Sequence, residues 1–265
     1  MRRNTKTREL PRTTTQRLMH DIYELRDDNL SSHGIYYRPN EENILKGYAL
    51  IVGSSGTPYL GGYYFFEFDF PTNFPFAPPI VTYKTNQHAI RFHPNLYTNG
   101  RVCLSIINTW MGSQWSACQT ISSVLLVLAS LLCENPLLNE PCVDHTNIQL
   151  QKDYATTVLF SNINIAMCNV IQKTPGLYQP FFNMFDDIVL QKWREHFEDV
   201  RAICVARLEE FGEEDIEVPH YYNNMKVRLN YRRLLDKLDA TNQCVCEEEI
   251  TRGIHKRKDS VADNP

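Results

Sequence analysis

The stretch YYFFEFDFPTNFPFAPPIVTYK, residues 63–84, decides the class of fold. At its start every second residue is aromatic and would point to one face of a strand: Tyr64, Phe66, Phe68 and Phe70. Glu67 and Asp69 fall on the opposite face, and this alternation predicts a half-buried antiparallel strand. Four prolines within residues 71–79 exclude a helix or a central strand there. A further strand is therefore predicted only over residues 80–84.

The segments on either side add helices and one more strand. Residues 13–15 are three threonines, which favour a helix N-terminus, and apolar residues then recur at helical spacing. These patterns predict a helix over residues 14–28, a loop over 29–43 and a strand over 48–52. Beyond the sheet, apolar periodicity predicts helices in four segments: 121–132, 154–170, 185–208 and 227–238. Strands followed by helices indicate an α+β fold.

Composition limits the class of protein. The chain has 265 residues, of which 43% are hydrophobic and 22% charged, as is ordinary for a globular protein with a buried core. A net charge of -4 and a pI near 6.1 argue against nucleic acid as the main partner. The longest apolar stretch is too short to cross a bilayer, and residues 1–10 lack the apolar run of a secretory signal. We therefore expect no membrane association.

Eight cysteines without a secretory signal predict free thiols in a reducing compartment. Cys244 and Cys246 could form half of a metal site, but no second pair at ligand spacing follows, so no metal is expected. The expected location is the cytoplasm. The nucleus stays open as a second location, although Lys256-Arg257-Lys258 is interpreted as a solvated charge run.

Cys103 lies in a long irregular stretch, residues 86–116, without clear periodicity. Irregular segments of this length inside a compact domain usually carry function. Its apolar neighbours Val102 and Leu104 could hold the backbone down and leave the sulfur facing solvent as a nucleophile. The alternative is that Cys103 is a small buried hydrophobic residue, which is the commoner fate of cysteine.

The triplet His93-Pro94-Asn95 precedes this cysteine. Pro94 restricts its own backbone and favours an extended His93, which makes a stiff platform. The amide of Asn95 could stabilise an oxyanion, or it could pin the loop through backbone hydrogen bonds; both roles stay open. His93 could act as the base of a cysteine hydrolase, but its place before Pro94 favours a structural role.

These motifs, taken in order, resemble the ubiquitin-conjugating enzyme family. The set consists of Phe74-Pro75-Phe76-Ala77-Pro78-Pro79, His93-Pro94-Asn95, Cys103-Leu104 and a following tryptophan. The resemblance implies the α+β ubiquitin-conjugating (UBC) fold: an N-terminal helix, a four-stranded antiparallel meander, an active-site loop and a central helix. It also implies an extended subgroup with a helical C-terminal extension. The expected organisation is a basic flexible N-terminus (1–12), a UBC catalytic core (13–165), a helical extension (166–238) and a disordered tail (239–265).

The resemblance also implies roles for single residues. Cys103 would be the thioester nucleophile and Asn95 the oxyanion residue, with His93, Pro94 and Ser105 as structural neighbours. The residue near the acceptor channel would be Asn139 or Glu140. The docking surface for ligases would consist of Phe76, Ser116 and Ala117. Arg17, near the first helix, would meet the activating enzyme.

Three departures from the family pattern are visible. Residues 85–92 lengthen the loop before the triplet, and residues 109–114 add a segment between the cysteine and Trp115. Ala117 stands where many members have proline, which departs from the docking pattern for RING-type ligases.

The function implied is acceptance of ubiquitin, or a ubiquitin-like modifier, from an activating enzyme as a thioester on Cys103, followed by transfer to a lysine or a ligase thiol. The expected partners are the modifier, the activating enzyme, a ubiquitin ligase and protein substrates, and the chain would be a monomer. No cofactor is expected, since the activating enzyme uses the ATP. Two hypotheses compete: an inactive ubiquitin-binding module of the same fold, and a cysteine hydrolase that uses Cys103 and His93.

Overall fold

The structure is a computed structural model that describes residues 10–27, 29–87, 90–141, 143–144, 146–222 and 225–262. Its packing forms two compact units. The first comprises the described residues up to Ile51 together with Tyr64–Asn139, and the second comprises Val52–Tyr63 with the described residues from Glu140 onwards. The expected boundary near residue 165 stays a prediction. Most of the expected flexible N-terminus, residues 1–9, lies outside the described residues.

The N-terminal part contains the expected four-stranded sheet. Its elements are α1 (Arg12–Asp27), β1 (Ile35–Pro39), β2 (Lys46–Val52), β3 (Tyr63–Asp69), β4 (Ile80–Tyr83) and α2 (Ile121–Ser130). The strand order is β1-β2-β3-β4, and the pairs β1–β2 and β3–β4 are antiparallel. The expected α+β architecture is therefore confirmed.

Strand β3 is more deeply buried than its sequence predicts. Phe66 pairs with Tyr83 and Phe68 with Val81, so the expected aromatic face packs in the core. At the beginning of the strand, however, Phe65 on the other face is also fully buried. Only the second half of β3, with Glu67 and Asp69 partly exposed, has the half-buried character that alternation indicates.

Strand β1 lies within the segment for which the sequence predicts a loop. Ile35 and Tyr37 face Ile51 and Ala49 of β2. The strand has five residues and lies at the edge of the sheet, with Pro39 at its end. An edge strand of this length leaves too short an alternation to be recognised against its polar surroundings.

Helix α1 begins at Arg12, two residues before its predicted start. Thr14, which the sequence suggested as part of a helix cap, has a different role. Its hydroxyl lies 2.8 Å from the backbone oxygens of both Thr72 and Phe74, in the proline-rich segment after β3. This contact holds α1 against that segment within the first unit.

The second unit is mostly helical. It contains α3 (Ile148–Ser161), a π-helical segment (Asn162–Asn169), α4 (Asp186–Phe211), the hairpin strands β5 (Ile216–His220) and β6 (Met225–Leu229), and α5 (Tyr231–Ala262). The π-helical segment explains why apolar residues fit the predicted helix over 154–170 only loosely, because its wider turns shift the apolar face. Asn162, where this segment begins, is buried and donates to the backbone oxygen of Leu60 at 2.9 Å.

Two predictions for the C-terminal part are wrong. Val227, assigned to the last helix, lies in β6 opposite Val218, since the β-branched pair favours strands. The expected disordered tail from residue 239 is instead a continuation of α5 as far as Ala262. Thr241 and Val245 are buried, so α5 packs as far as Val245 rather than extending into solvent there. Among the described residues, no helix combines the length and apolarity needed to span a membrane.

Candidate active site

Cys103 is held by the irregular stretch between β4 and α2. Isolated bridges pair Leu96 with Val102 and Thr82 with Arg101, which fixes the chain just before the cysteine. The backbone N–H of Cys103 then donates to the backbone oxygen of Asn95 at 2.9 Å. The position of the thiol therefore depends on residues eight and more positions earlier in the chain.

Thr109 closes the chain on the other side of the cysteine. Its N–H donates to the backbone oxygen of Leu104 at 3.0 Å, and its hydroxyl accepts from the N–H of Leu104 at 2.8 Å. The short 3-10 helix Ser105–Ile107 lies inside this closed turn. The sequence reasoning had treated Thr109 only as the start of an added segment, because a single threonine carries no recognisable pattern.

The expectation that the sulfur of Cys103 faces solvent is wrong in this conformation. Cys103 retains 2% of its surface, and its neighbours Val102 and Leu104 are buried as well. Both apolar flanks pack inward, and the cysteine between them is covered too. The Cys103 thiol is therefore buried and not accessible to solvent.

Asn95 lies directly beside the cysteine backbone. Its side-chain nitrogen Nδ2 donates to the backbone oxygen of Cys103 at 2.6 Å. Its Oδ1 atom is buried and accepts no hydrogen bond from the described residues. An unsatisfied buried acceptor costs about 1–3 kcal/mol. The sequence leaves two roles open for Asn95, and the hydrogen bond to Cys103 corresponds to the one in which the side chain fixes the loop. The same bond keeps the Asn95 donor next to the backbone of Cys103.

His93 is a structural residue in this arrangement. It is fully buried, and its Nδ1 accepts from the backbone N–H of Asn95 at 3.0 Å. Burial, assisted by the charge of Arg91, lowers the pKa of His93 from 6.5 to about 3. The neutral ring accepts at Nδ1 and therefore carries its proton on Nε2. Nε2 lies 3.3 Å from Nδ2 of Asn139, so the Asn139 amide has to present its oxygen to the ring to accept this proton. Such a ring does not serve as the base of a hydrolase.

Pro94 and its surroundings stiffen the triplet. Pro94 is buried, and its backbone oxygen accepts from the guanidinium of Arg91. The same guanidinium stacks over the ring of Tyr97, 3.8 Å from its centroid. The platform expected from the sequence is thus supported by an arginine that the sequence reasoning did not single out.

The two candidates for the acceptor channel have different surroundings. Asn139 ends the 3-10 helix Pro136–Asn139 in the first unit and contacts His93. Glu140 belongs to the second, mostly helical unit, where its carboxylate accepts a hydrogen bond from the hydroxyl of Tyr222 at 2.6 Å. Sequence reasoning left the choice open, and it stays open.

The three residues expected to dock ligases are all exposed. Phe76 retains 75% of its surface, and Ser116 and Ala117 are exposed too. Trp115 connects their two loops, because its Nε1 donates to the backbone oxygen of Pro75 at 2.7 Å. Its ring also packs against Phe74, with centroids 5.8 Å apart. An apolar projecting side chain and an adjacent polar loop are therefore fixed side by side.

Arg17 of α1 holds the loop of Ser116 and Ala117 in place. Its guanidinium donates to the backbone oxygens of Ala117, at 2.6 Å, and of Gln119. It also pairs with Asp21 at 2.7 Å, and the other oxygen of Asp21 accepts from the N–H of Ile121 at the start of α2. The expected contact between Arg17 and an activating enzyme stays a prediction, but its donors are engaged within the chain.

Ser105, two residues beyond the cysteine, contacts the added segment 109–114. Gly112 has φ +126°, and a Cβ built there would lie 3.1 Å from the Cβ of Ser105. The segment therefore folds back over the turn that carries the cysteine. Trp110 and Met111, beside this glycine, remain exposed.

One group of potential metal ligands occurs among the described residues, on helix α1. Ligand atoms of His20, Asp21 and Glu24 lie within 4.8 Å of one another. The carboxylate of Asp21 is already occupied by Arg17 and by the start of α2. This group therefore has a structural explanation.

Comparison with known proteins agrees with this geometry. Residues 17–160 match the family described as ubiquitin-conjugating enzyme. The chain is 32% identical over 217 residues to ubiquitin-conjugating enzyme E2 Z of Danio rerio, covering 81% of this chain and 64% of the relative. It is 33% identical over 229 residues to E2 Z of Homo sapiens, covering 86% and 63%.

A further relative is the dual E2 ubiquitin-conjugating enzyme/E3 ubiquitin-protein ligase BIRC6 of Homo sapiens, 36% identical over 194 residues, which are 68% of this chain and 4% of that protein. The matches to E2 Z confirm the extended subgroup, and the chain spans a little under two thirds of the length of the two E2 Z relatives described above. More than half of the chain matches the family, in the region that contains Cys103 and Asn95. The chain belongs to the ubiquitin-conjugating enzyme family.

Proposed function

We propose that this chain carries ubiquitin, or a ubiquitin-like modifier, as a thioester on Cys103 and transfers it to a lysine or to a ligase thiol. One observation carries the proposal: Cys103 and Asn95 exchange two hydrogen bonds, at 2.9 and 2.6 Å, within the segment that matches the family. These bonds hold the backbone of Cys103 against the Asn95 side chain, which supports Asn95 as the amide donor of the reaction. Membership of the family supports a transferase reaction at that thiol.

Charging exchanges one thioester for another. The thiolate of Cys103 attacks the carbonyl carbon of the modifier's C-terminal glycine, which is held as a thioester on the activating enzyme. A new C–S bond forms, the old C–S bond breaks, and the released thiolate takes a proton from solvent. The exchange is close to thermoneutral and needs no cofactor on this chain, since ATP is consumed by the activating enzyme.

Discharge forms an amide. A neutral lysine amine attacks the thioester carbonyl, the C–N bond forms and the C–S bond breaks. Cys103 leaves as a thiolate, and the nitrogen loses one proton to solvent as it becomes an amide. Negative charge develops on the carbonyl oxygen, and a donor such as Asn95 Nδ2 can stabilise it by about 3 kcal/mol. Nδ2 carries two N–H donors, and the backbone oxygen of Cys103 uses one of them. The unsatisfied Oδ1 lowers the cost of turning the side chain so that a donor meets the oxyanion.

Burial of Cys103 imposes a condition on both steps. With 2% of the residue exposed, the sulfur reaches a modifier only after a local opening of the chain around it. The added segment with exposed Trp110 and Met111 lies over the adjacent turn and is positioned to take part in that opening.

The two competing hypotheses receive less support. A hydrolase would need His93 as a base, but His93 is buried and its pKa is lowered to about 3. An inactive module of the same fold would not require a cysteine at position 103, and this chain has one.

The partners proposed are those that the family implies: a modifier, an activating enzyme and a ligase. The docking surface of Phe76, Ser116 and Ala117 supports the ligase, and we propose that the chain acts as a monomer. A reducing compartment, such as the cytoplasm or nucleus, fits the free thiols of the seven cysteines within the described residues.

A charging assay tests the proposal. The protein is incubated with activating enzyme, ATP and modifier, and we expect an adduct heavier by one modifier that reductant removes. Cys103→Ser should give an oxyester that resists reductant, or no adduct. Cys118→Ser is the matched control, because Cys118 is an exposed thiol near the docking loop. A reductant-sensitive adduct that persists in Cys103→Ser would refute the assignment.

A second assay separates Asn139 from Glu140. Charged protein is mixed with free lysine, and the decay of the thioester is followed in Asn139→Ala and in Glu140→Gln. The residue that assists the acceptor amine should slow discharge onto lysine while leaving charging unchanged. A variant that slows both steps equally has lost structure and identifies no acceptor residue.

A further inference from the structure

A cavity of about 260 Å³ opens within the helical unit. One wall is a single face of α5 and the residue before it, where Asn230, Arg233, Leu234 and Lys237 follow one another at helical spacing. The opposite side includes Asp215, just before β5, and Arg228 in β6. None of these residues has a part in the proposed transfer reaction.

Lys237 is a half-buried cation that pairs with no carboxylate of the described residues. Its ammonium donates to Asn164, at 2.6 Å to the side-chain oxygen and 3.1 Å to the backbone oxygen, and to the side-chain oxygen of Asn169. All three partners are neutral amide oxygens. Burial lowers the pKa of Lys237, as expected for a charge that dipoles alone compensate. A nearby anion would supply the missing compensation.

The rim of the cavity carries two guanidinium groups with unused donors. Arg233 lies 3.7 Å from its nearest carboxylate oxygen, on Asp215, and is 77% exposed. Arg228 approaches Asp215 and Glu217 only to 4.0 and 3.8 Å and is 69% exposed. Neither guanidinium makes a hydrogen bond to a described residue, so both can donate to a ligand.

The charge of the lining is positive although the chain is acidic. Three cations line the cavity with one carboxylate, Asp215, whereas the whole chain has a net charge of -4. Asp215 opposes an anion, but one of its oxygens is engaged by the side chain of Asn230 at 2.6 Å. The cavity also faces the first turns of α5, where the helix dipole favours negative charge.

We propose that this cavity binds the phosphate group of a small organic phosphate. Arginine forks match the oxygens of a phosphate, and an ammonium below them compensates its second charge. Phe160 and Leu234 give the cavity an apolar side against which the organic part of such a ligand can pack.

Isothermal titration of the full chain with pyrophosphate, repeated at several fixed salt concentrations, tests the site. We expect saturable binding whose affinity falls from one salt concentration to the next higher one, because the rim is exposed. The double variant Arg228→Gln/Arg233→Gln should bind at least about tenfold more weakly. Arg232→Gln is the matched control: Arg232 lies on the same helix and pairs with Glu213 at 2.6 Å, but does not line the cavity.

A second arm identifies the source of the phosphate. Vesicles of phosphatidylcholine that contain phosphatidylinositol phosphate are compared with soluble pyrophosphate; binding to both assigns a lipid headgroup, and binding to pyrophosphate alone assigns a soluble ligand. Either result supports a phosphate site. The proposal is overturned if pyrophosphate shows no saturable binding, if the double variant binds as tightly as the parent, or if Arg232→Gln loses as much affinity.

Discussion

Arg17, in the second turn of α1, donates to the backbone oxygen of Ala117 at 2.6 Å, across a hundred residues of sequence. The loop that we propose as a ligase-docking surface is therefore positioned by the first helix. Arg17 also pairs with Asp21, and the carboxylate of Asp21 accepts a hydrogen bond from the N–H of Ile121, the first residue of α2. One guanidinium therefore connects two helices and a loop in the first unit.

Removing this guanidinium should weaken both the fold and docking. Arg17→Ala leaves the carboxylate of Asp21 buried at 1% exposure without its cation, a change that typically costs about 3 kcal/mol. We expect a lower free energy of unfolding in urea and slower ligase-dependent discharge. Arg26→Ala, an exposed position on the same helix, is the control and should change stability by less than about 0.5 kcal/mol. Equal stability of the two variants would contradict the assigned role of Arg17.

Replacing Asn95 should affect discharge more than charging. Asn95→Ala removes the donor to the backbone oxygen of Cys103, and a single oxyanion donor is worth about a hundredfold or more in rate. We therefore expect single-turnover transfer to free lysine to fall by roughly that factor. Loss of the pin should also reduce the free energy of unfolding by about 1 kcal/mol. If charging and discharge fell by the same factor, Asn95 would act only on structure.

His93 should make the protein less stable in acid. Its pKa is about 3 in the folded protein and near 6.5 when unfolded, so the unfolded chain binds the proton first as pH falls. The contribution of neutral His93 is fully present above pH 6.5 and is lost progressively towards pH 3. Between pH 7 and pH 5 this loss amounts to about 2 kcal/mol.

Urea unfolding at these two pH values measures the effect. His93→Gln should show a smaller loss of stability between pH 7 and pH 5 than the parent, by about 2 kcal/mol. His20→Gln is the control, since His20 lies on α1 with 64% of its side chain exposed. An unchanged pH dependence in His93→Gln would mean that His93 is protonated in the folded state.

A methyl group at Gly112 should disturb the turn that carries the cysteine. Gly112→Ala places Cβ 3.1 Å from Ser105 at a positive φ, whereas Gly56→Ala adds a methyl at φ +77° with open space around it. Both variants put a side chain at a φ that L residues disfavour, which costs about 1 kcal/mol or more. Only Gly112→Ala should change the rate at which a thiol reagent alkylates Cys103, as measured by peptide mass spectrometry. A similar change in Gly56→Ala would show that general destabilisation is responsible.

The sequence revealed the parts of the fold that have long or distinctive patterns. The aromatic alternation of β3 predicts a strand and the apolar run of α2 predicts a helix. The ordered motifs around His93 and Cys103 indicate the family. The sequence could not reveal β1, which is short and at an edge, or the hairpin before α5, whose Val227 fits helical spacing by coincidence. Local patterns carry no information about which distant segments meet.

The same limit applies to the site. Burial of Cys103 depends on packing around Val102 and Leu104, and the two flanks alone suggested the opposite outcome. Arg17 was singled out as a partner contact, yet its donors are used by carbonyls a hundred residues away. The sequence assigns neither Thr109 nor Tyr222 a hydrogen bond near the site, because the role of a threonine or tyrosine hydroxyl becomes clear only when its partner is known.

The turn closed by hydrogen bonds between Leu104 and Thr109 separates two parts of the chain. The part before the turn contains the contacts that position Cys103, and the part after it does not. Chain added after Thr109 leaves the hydrogen bonds that fix the thiol untouched, whereas one residue inserted between Asn95 and Cys103 would break their pairing. An insertion after Thr109 should therefore disturb the position of Cys103 less than an insertion between Asn95 and Cys103. For protein engineering, a foreign recognition peptide is better placed after Thr109, provided that the close approach of Gly112 to Ser105 is kept.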